Sequence, residues 1–230
     1  MHPSVHSTAP ASPLPRRRFL RQLLATPAAL SVGLSLAACR SSGPQGKAIA
    51  AGESVLALGD SLTHGVGASA TQAYPHRLAE ATGWHVTNAG VSGDTSAQAL
   101  QRLPGLLQAH QPRLVIVGIG GNDFLRRQSA SVAEQNIRAI CQQCLDTGAQ
   151  VVLVAVPALN LLAAAGVLKD HRLYADIASD LPVALLEGTW SRILSDSSLR
   201  ADQVHANAQG YAAFTEALLG ALRDWGMWRA

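Results

Sequence analysis

Three side chains have the types that nucleophilic cleavage of an acyl group requires, namely those of Ser61, Asp202 and His205. A serine hydroxyl at neutral pH is a poor nucleophile and needs an imidazole to take its proton. The imidazole in turn needs an acceptor that fixes its tautomer. Ser61, His205 and Asp202 could fill these roles, provided that the fold brings residues from opposite ends of the chain together. Such a reaction would slow below about pH 6–7, where a free imidazole becomes protonated.

The elements that must position these residues are predicted by short apolar runs that alternate with helical patterns from Glu53 onward. This alternation is typical of a parallel sheet covered by helices on both faces. We predict strands at 54–58, 85–88, 114–117, 151–156 and 183–186, and helices at 96–110, 132–145 and 208–225. Ligands of such sheets bind beyond the carboxyl ends of the strands, where the chemically informative residues of this sequence lie.

Four short blocks follow the predicted elements. They are GDSLT at 59–63, GVSGDTS at 90–96, GGND at 120–123 and DQVH at 202–205. Together they resemble the blocks of the SGNH, or GDSL, hydrolase family, and in particular its bacterial thioesterase, arylesterase and lysophospholipase branch. The resemblance covers residues 53–225 and implies a flavodoxin-like three-layer α/β/α sandwich with a mostly parallel five-stranded sheet. It places the hydrolase domain at residues 53–230.

The resemblance also implies an activity and a set of site residues. Ester or thioester cleavage would proceed through an acyl-Ser61 intermediate, with no metal or organic cofactor and a small-molecule substrate. The family pattern makes an oxyanion hole from the backbone N–H groups of Ser61 and Gly93 and the side-chain amide of Asn122. Glycine allows close approach of the backbone, and asparagine offers a donor that does not ionise. A carbohydrate O-acetyl esterase and an inactive binding module are the alternatives on the same fold.

Three carboxylates beside the blocks allow another interpretation. Asp60, Asp94 and Asp123 could hold turns, or they could bind Mg²⁺ in a phosphohydrolase. The sequence lacks an Asp-x-Asp pair, and the serine, glycine, asparagine and histidine of the blocks would then have no role. His64 is a less suitable base than His205, because it would lie on the helix of Ser61 without a carboxylate to orient it.

An apolar segment after the fourth predicted strand suggests how an acyl chain would be held. Residues 158–165 read ALNLLAAA. We hypothesise that Leu161 and Leu162 line an acyl pocket together with Phe124 and Leu125. The alternative is that this segment is part of a core helix.

Cys141 and Cys144 form a C-x-x-C pair inside a predicted helix, next to apolar residues. We predict that both thiols are buried, and the alternative is a strained disulfide between them. A zinc site would need a second pair of matching spacing, which the sequence does not offer.

Residues 1–38 are predicted to be an export signal peptide. The stretch RRRFLR at 16–21 resembles the twin-arginine signal, which implies export of a folded protein. The apolar run that follows contains Pro27 and Gly33, and it falls short of the roughly 20 strongly apolar residues that cross a bilayer. We therefore expect a removable signal and not a permanent transmembrane helix.

The end of this segment, LAAC at 36–39, resembles a bacterial lipobox. In signals of that family the peptide is cut before the cysteine, so Cys39 would be lipidated and would anchor the protein to a membrane. Residues 39–52 would comprise this cysteine and a flexible tether rich in Ser, Gly and Pro. The expected location is the bacterial periplasm, with the protein lipid-anchored to a membrane.

The charge distribution argues against a nucleic-acid partner. The chain has 18 basic and 15 acidic residues, a formal net charge of +3. Four arginines lie between positions 16 and 21, so the rest of the chain has 14 basic residues against 15 acidic ones. The body is nearly neutral and offers no electrostatic support for binding phosphates.

We expect the protein to be a monomer.

Overall fold

The computed structural model of the protein describes residues 46–158 and 168–229. Five parallel strands form one sheet in the order β2-β1-β3-β4-β5. Their bounds are β1 Ser54–Gly59, β2 His85–Gly90, β3 Leu114–Gly118, β4 Gln150–Val154 and β5 Ala184–Leu186. This sheet confirms the predicted fold class.

Helices connect the successive strands, and two more follow the last strand. They are α1 Ser61–His64, α2 Tyr74–Thr82, α3 Ser96–His110, α4 Gly121–Leu125, α5 Ala130–Asp146, α6 Leu173–Asp180, α7 Thr189–Ser195 and α8 Ala208–Asp224, with a short 3-10 helix at Ala70–Gln72. Helices α3, α5 and α6 pack together in one layer, and α2, α7 and α8 pack together in another. Within the two described ranges, no helix combines the length and apolar character needed to cross a membrane.

Three neighbouring strands, β2, β1 and β3, end at one level of the sheet. Gly59 is the register partner of Gly90 on β2 and of Gly118 on β3. Both β1 and β3 are buried along almost their whole length, because their side chains are covered by helices on both faces. The loops that follow these strands therefore leave the sheet side by side. The first three blocks of the sequence begin at or just after these strand ends, while the fourth lies between α7 and α8.

Residues 46–52 require a correction to the predicted tether. The N–H of Gly46 donates to the carbonyl of Trp225 at 2.7 Å, and that of Ile49 donates to Met227 at 2.9 Å. Ile49 is buried, and its carbonyl accepts the indole N–H of Trp84 at 3.2 Å. The segment is held by backbone hydrogen bonds, which leave no periodic pattern in a sequence. The folded body therefore includes residues 46–52, while the predicted signal peptide and Cys39 lie outside the described residues.

The two helical cysteines are free thiols in this structure. Cys141 and Cys144 are both buried on α5, as predicted. Burial raises the pKa of each thiol to about 12, since a thiolate would lose its hydration there. These residues therefore act as small apolar core side chains, and the disulfide alternative is not adopted.

Candidate active site

The end of β1 places Ser61 at the carboxyl edge of the sheet. Gly59 closes the strand where only glycine fits, because an added Cβ would lie 2.5 Å from the carbonyl oxygen of Gly118. Asp60 then caps α1 by accepting the N–H of Leu62 at 3.1 Å. Ser61 is the first residue of this helix. Its backbone N–H is thus among the first N–H groups of a helix, which have no partner within the helix itself.

The structure brings the three predicted side chains together. His205 Nε2 lies 3.0 Å from Ser61 Oγ, and His205 Nδ1 lies 2.7 Å from Asp202 Oδ2. Both distances are those of hydrogen bonds. The imidazole can therefore accept the proton of the Ser61 hydroxyl while the Asp202 carboxylate accepts the Nδ1–H.

A tight turn between α7 and α8 holds the acid and the base. Asp202 Oδ1 accepts the N–H groups of Val204 at 2.8 Å and of His205 at 2.9 Å. Partial burial by itself raises the pKa of Asp202. The hydrogen bonds with the His205 side chain and with these two N–H groups outweigh that effect, so the pKa is lowered overall. Asp202 is therefore held as the carboxylate that a hydrogen-bonded imidazole requires.

Two further donors line the same cavity as Ser61 and His205, namely Gly93 and Asn122. Gly93 has a φ of +86°, a conformation that side-chain-bearing residues rarely adopt. The amide Nδ2 of Asn122 donates to the carbonyl of Asp94 at 2.9 Å, which fixes the plane of the amide. The second N–H of that amide has no partner among the described residues. An amide N–H on the cavity is well suited to bind an oxyanion.

The cavity has a volume of about 170 Å³, and both polar and apolar residues line it. Its apolar lining comprises Leu62, Leu125, Val156, Pro157, Leu194 and Val204. Of the predicted acyl-pocket residues, Leu125 is in this lining. Phe124 is not, since its ring stacks on His171 with a centroid separation of 4.6 Å. Leu161 and Leu162 lie outside the described residues.

Sequence reasoning missed Val156, Pro157 and Leu194 as cavity residues. The first two follow β4 and could have been found by the strand-end rule that located the other blocks. Leu194 comes from α7, a helix that the apolar pattern did not predict. Only its tertiary packing brings it to the cavity.

The three carboxylates of the blocks bind donors of the protein itself. Asp94 Oδ2 accepts Arg102 Nε at 2.7 Å. Asp123 accepts the backbone N–H and the hydroxyl of Ser96 at 2.8 and 2.6 Å. Asp60 caps α1 as described above. The contact of Asp60 matches the predicted capping role, whereas Asp94 and Asp123 bind residues of α3 and so connect separate segments.

Asp60 is the most perturbed of these groups. Burial raises its pKa from the ordinary 3.8 to about 7, although the bond from the Leu62 N–H and the proximity of His205 oppose the increase. A raised folded-state pKa means that the folded protein binds this proton more tightly than the unfolded chain does. The Asp60 contribution to stability is therefore greatest in acid, and it is lost progressively as the pH rises from about 4 to about 7.

Replacing Asp60 with asparagine is accordingly expected to stabilise the protein in a pH-dependent way. Asparagine keeps an oxygen for the Leu62 N–H but carries no buried charge. The gain in free energy of unfolding should be roughly 2 kcal/mol larger at pH 8 than at pH 5. Urea denaturation at both pH values measures it. Asp224→Asn, at an exposed carboxylate, is the control and should have the same effect at both. An equal gain in free energy of unfolding at both pH values from Asp60→Asn would contradict the raised pKa of Asp60.

Comparisons with known proteins add independent observations. Residues 57–213 match the family model described as the GDSL-like Lipase/Acylhydrolase family. The chain is 44% identical over 111 residues to Thioesterase 1/protease 1/lysophospholipase L1 of Escherichia coli strain K12, which covers 46% of this chain and 52% of that protein. It is 38% identical over 112 residues to Esterase TesA of Pseudomonas aeruginosa, which covers 46% of this chain and 56% of that protein.

The chain thus spans about half the length of the curated relatives it matches. A comparison of the folds covers a larger part of this chain. A crystal structure of TesA superimposes with a TM-score of 0.65 and 28% sequence identity, covering 75% of this chain and 99% of that chain. The similarity of fold therefore extends beyond the half of the chain that the curated relatives match.

Proposed function

This protein belongs to the GDSL-like lipase/acylhydrolase family, and from that premise we propose that it is a serine hydrolase of carboxylic esters or thioesters. The observation that carries the proposal is the hydrogen-bonded series from Ser61 Oγ to His205 Nε2 and from His205 Nδ1 to Asp202. Ser61 and His205 line a cavity whose lining also includes Gly93 and Asn122. The named activities of the relatives, thioesterase, lysophospholipase and esterase, support the same class of bond.

In the proposed acylation step, His205 Nε2 takes the hydroxyl proton while Ser61 Oγ attacks the carbonyl carbon of the substrate. The carbonyl oxygen becomes an oxyanion, which accepts hydrogen bonds from the N–H groups of Ser61 and Gly93 and from the Asn122 amide. The intermediate collapses, and the bond to the leaving group breaks. The leaving alcohol or thiol takes the proton from His205 Nε2, and an acyl-Ser61 ester remains.

Deacylation repeats these events with water as the nucleophile. His205 takes a proton from water, whose oxygen attacks the acyl carbon. The same three donors stabilise the second oxyanion. Its collapse releases the carboxylic acid and returns the proton to Ser61 Oγ. Asp202 accepts the Nδ1–H throughout and stabilises the imidazolium that forms in each step.

The proposal is tested by incubating the purified full-length protein with a panel of substrates. The panel contains p-nitrophenyl esters of acetate, butyrate and octanoate, an acyl thioester of N-acetylcysteamine, and an acetylated sugar. We expect turnover of the aryl esters or the thioester. Turnover confined to the acetylated sugar would favour the carbohydrate esterase alternative. No turnover of any substrate would favour the inactive binding module.

Truncation of Asn122 to alanine should lower kcat by about 100- to 1000-fold, because one oxyanion donor is lost. KM should change little, since the donor acts mainly on charge that develops in the transition state. Steady-state kinetics on p-nitrophenyl butyrate measure both constants.

The matched control is Asn136→Ala. Asn136 is a half-buried asparagine of α5 whose amide donates to Ser96 Oγ at 3.0 Å, and it does not line the cavity. It should retain a kcat close to that of the wild type. Equal losses of kcat in both variants would indicate a general effect of amide removal and would contradict the assignment of Asn122.

We further propose that the protein is exported and lipid-anchored through Cys39. The support is the twin-arginine-like stretch at 16–21 and the lipobox-like LAAC at 36–39. Expression of the full chain in bacteria fed an alkyne-tagged palmitate tests this. We expect the tag on the wild-type protein and its loss from Cys39→Ala. Tagging of neither protein, or of both, would contradict anchoring at this residue.

A further inference from the structure

Arg102 of α3 connects two of the segments that carry the site. Its Nε donates to Asp94 Oδ2 at 2.7 Å, and its Nη2 donates to the carbonyl oxygen of Gly59 at 3.0 Å. Gly59 ends β1 two positions before Ser61, and Asp94 directly follows Gly93. A single guanidinium therefore joins the segment of the nucleophile to the segment of an oxyanion donor.

Asp94 extends this connection to the third strand end. Its carbonyl oxygen accepts Asn122 Nδ2 at 2.9 Å, while its carboxylate is held by Arg102. The Asp94 side chain is only 9% exposed and that of Arg102 is 25% exposed, so both bonds are sheltered from water. Sheltered hydrogen bonds between charged groups are stronger and geometrically more specific than exposed ones. A shift of Asp94 would move the Gly93 segment and the Asn122 amide together.

The base is held by a different part of the chain. The contact between His205 and Ser61 depends on the turn between α7 and α8, to which Arg102 makes no hydrogen bond among the described residues. Arg102 is also absent from the lining of the catalytic cavity. Its influence on the reaction would therefore act on the placement of the oxyanion donors relative to Ser61, and not through contact with the substrate or with the base.

We propose that Arg102 is a positioning residue for the oxyanion hole, an inference that rests on the proposed hydrolase function. Through Asp94 and Gly59 it sets the distance of the Gly93 N–H and the Asn122 amide from Ser61 Oγ. Oxyanion stabilisation requires donors placed before the reaction begins, and a misplacement of about 1 Å can reduce the rate about 100-fold.

A purely structural role is the competing explanation, and the chain offers a matched control for it. Arg138 of α5 donates to Glu134 at 3.1 Å and lies 2.9 Å from Asp180, with its side chain 32% exposed. It is a comparably sheltered arginine with two oxygen partners. Neither it nor its partners line the cavity. Loss of Arg138 should affect stability without affecting the geometry of the site.

The experiment compares Arg102→Met, Arg102→Lys and Arg138→Met in the full-length protein. Arg102→Met should lower kcat for p-nitrophenyl butyrate about 30- to 100-fold with KM within about 3-fold of the wild type. Arg102→Lys should recover part of this loss, because an ammonium keeps the charge but lacks the planar fork that reaches both acceptors. Arg138→Met should keep a wild-type kcat even where its melting temperature falls.

A double-mutant cycle separates positioning from stability. If Arg102 acts through Asn122, then Arg102→Met should cost at least about 5-fold less in kcat when Asn122 is already alanine. The same substitution combined with Asp202→Asn should keep its full cost. If Arg102→Met does not fold, Arg102→Lys enters both cycles in its place.

The outcomes distinguish the two proposals. An active wild type whose kcat is unchanged in the Arg102 variants would overturn the positioning role alone. The positioning role would also be overturned if the kcat losses of Arg102→Met and Asn122→Ala simply multiplied in the double variant. Equal kcat losses in the Arg102 and Arg138 variants would overturn it as well. A folded wild-type protein that hydrolyses none of the panel would overturn the proposed function, and the positioning role with it.

Discussion

Replacement of Ser61 with alanine is expected to abolish nearly all hydrolysis, lowering kcat by about 10⁴-fold or more. The substitution removes the oxygen that is proposed to form the acyl intermediate, so the oxyanion donors of the cavity can no longer assist its attack. The fold should persist, because the side-chain hydrogen bond that is lost is the one with His205. Steady-state hydrolysis and thermal unfolding of the same preparation measure both effects.

Ser179→Ala is the control for this experiment. Ser179 is an exposed serine of α6 that donates to the carbonyl of Asp176 at 2.8 Å, away from the cavity. Its activity should match that of the wild type. If Ser61→Ala kept more than about a tenth of the wild-type kcat, a different nucleophile would have to be sought.

Changing Asp202 to asparagine is expected to lower kcat by roughly 10³- to 10⁴-fold, because the imidazole would adopt the wrong tautomer. An asparagine amide donates to Nδ1, which forces the ring proton onto the Nε2 atom that faces Ser61. The turn should still form, since the asparagine oxygen can accept the N–H groups of Val204 and His205. The measurement is kcat on p-nitrophenyl butyrate, with circular dichroism as the check on folding.

The control for Asp202 is Asp176→Asn, which alters an exposed carboxylate that pairs with Arg172 at 3.0 Å on α6. Near wild-type activity is expected from it. A similar, mild effect in both variants would mean that Asp202 does not orient the base and that another acceptor for Nδ1 exists.

The strands were predicted from sequence to within one or two residues. For β1, β3 and β4 the reason is that burial on both faces produces apolar runs of the right length, whereas the edge strand β2 is mostly exposed or half-buried and gave a weaker pattern. β3 is a clear example, since all its residues are buried. The bounds predicted for helix α3, residues 96–110, agree with the structure, since Thr95 and Gln98 form a capping box before a periodic leucine face. Helices α2, α4, α6 and α7 were not predicted. They have between five and nine residues, too few for a helical period to stand out.

The candidate site was predictable to a similar degree. Ser61, Asp202 and His205 could be named because nucleophilic catalysis demands these residue types. Gly93 and Asn122 were named from the resemblance to the family. Arg102 could not be found. Its sequence position relative to Asp94 is that of any arginine on a helix surface, and its two acceptors come from different strand ends. Contacts that depend on three strands meeting leave no local pattern.

The central claim is that the His205 imidazole activates the Ser61 hydroxyl. The most direct test is to react the folded full-length protein with a fluorophosphonate and to map the adduct by peptide mass spectrometry. We predict one adduct per chain, on Ser61, formed far more slowly in His205→Ala and absent from Ser61→Ala. An unmodified Ser61 in a folded protein, or equal labelling with and without His205, would contradict the account.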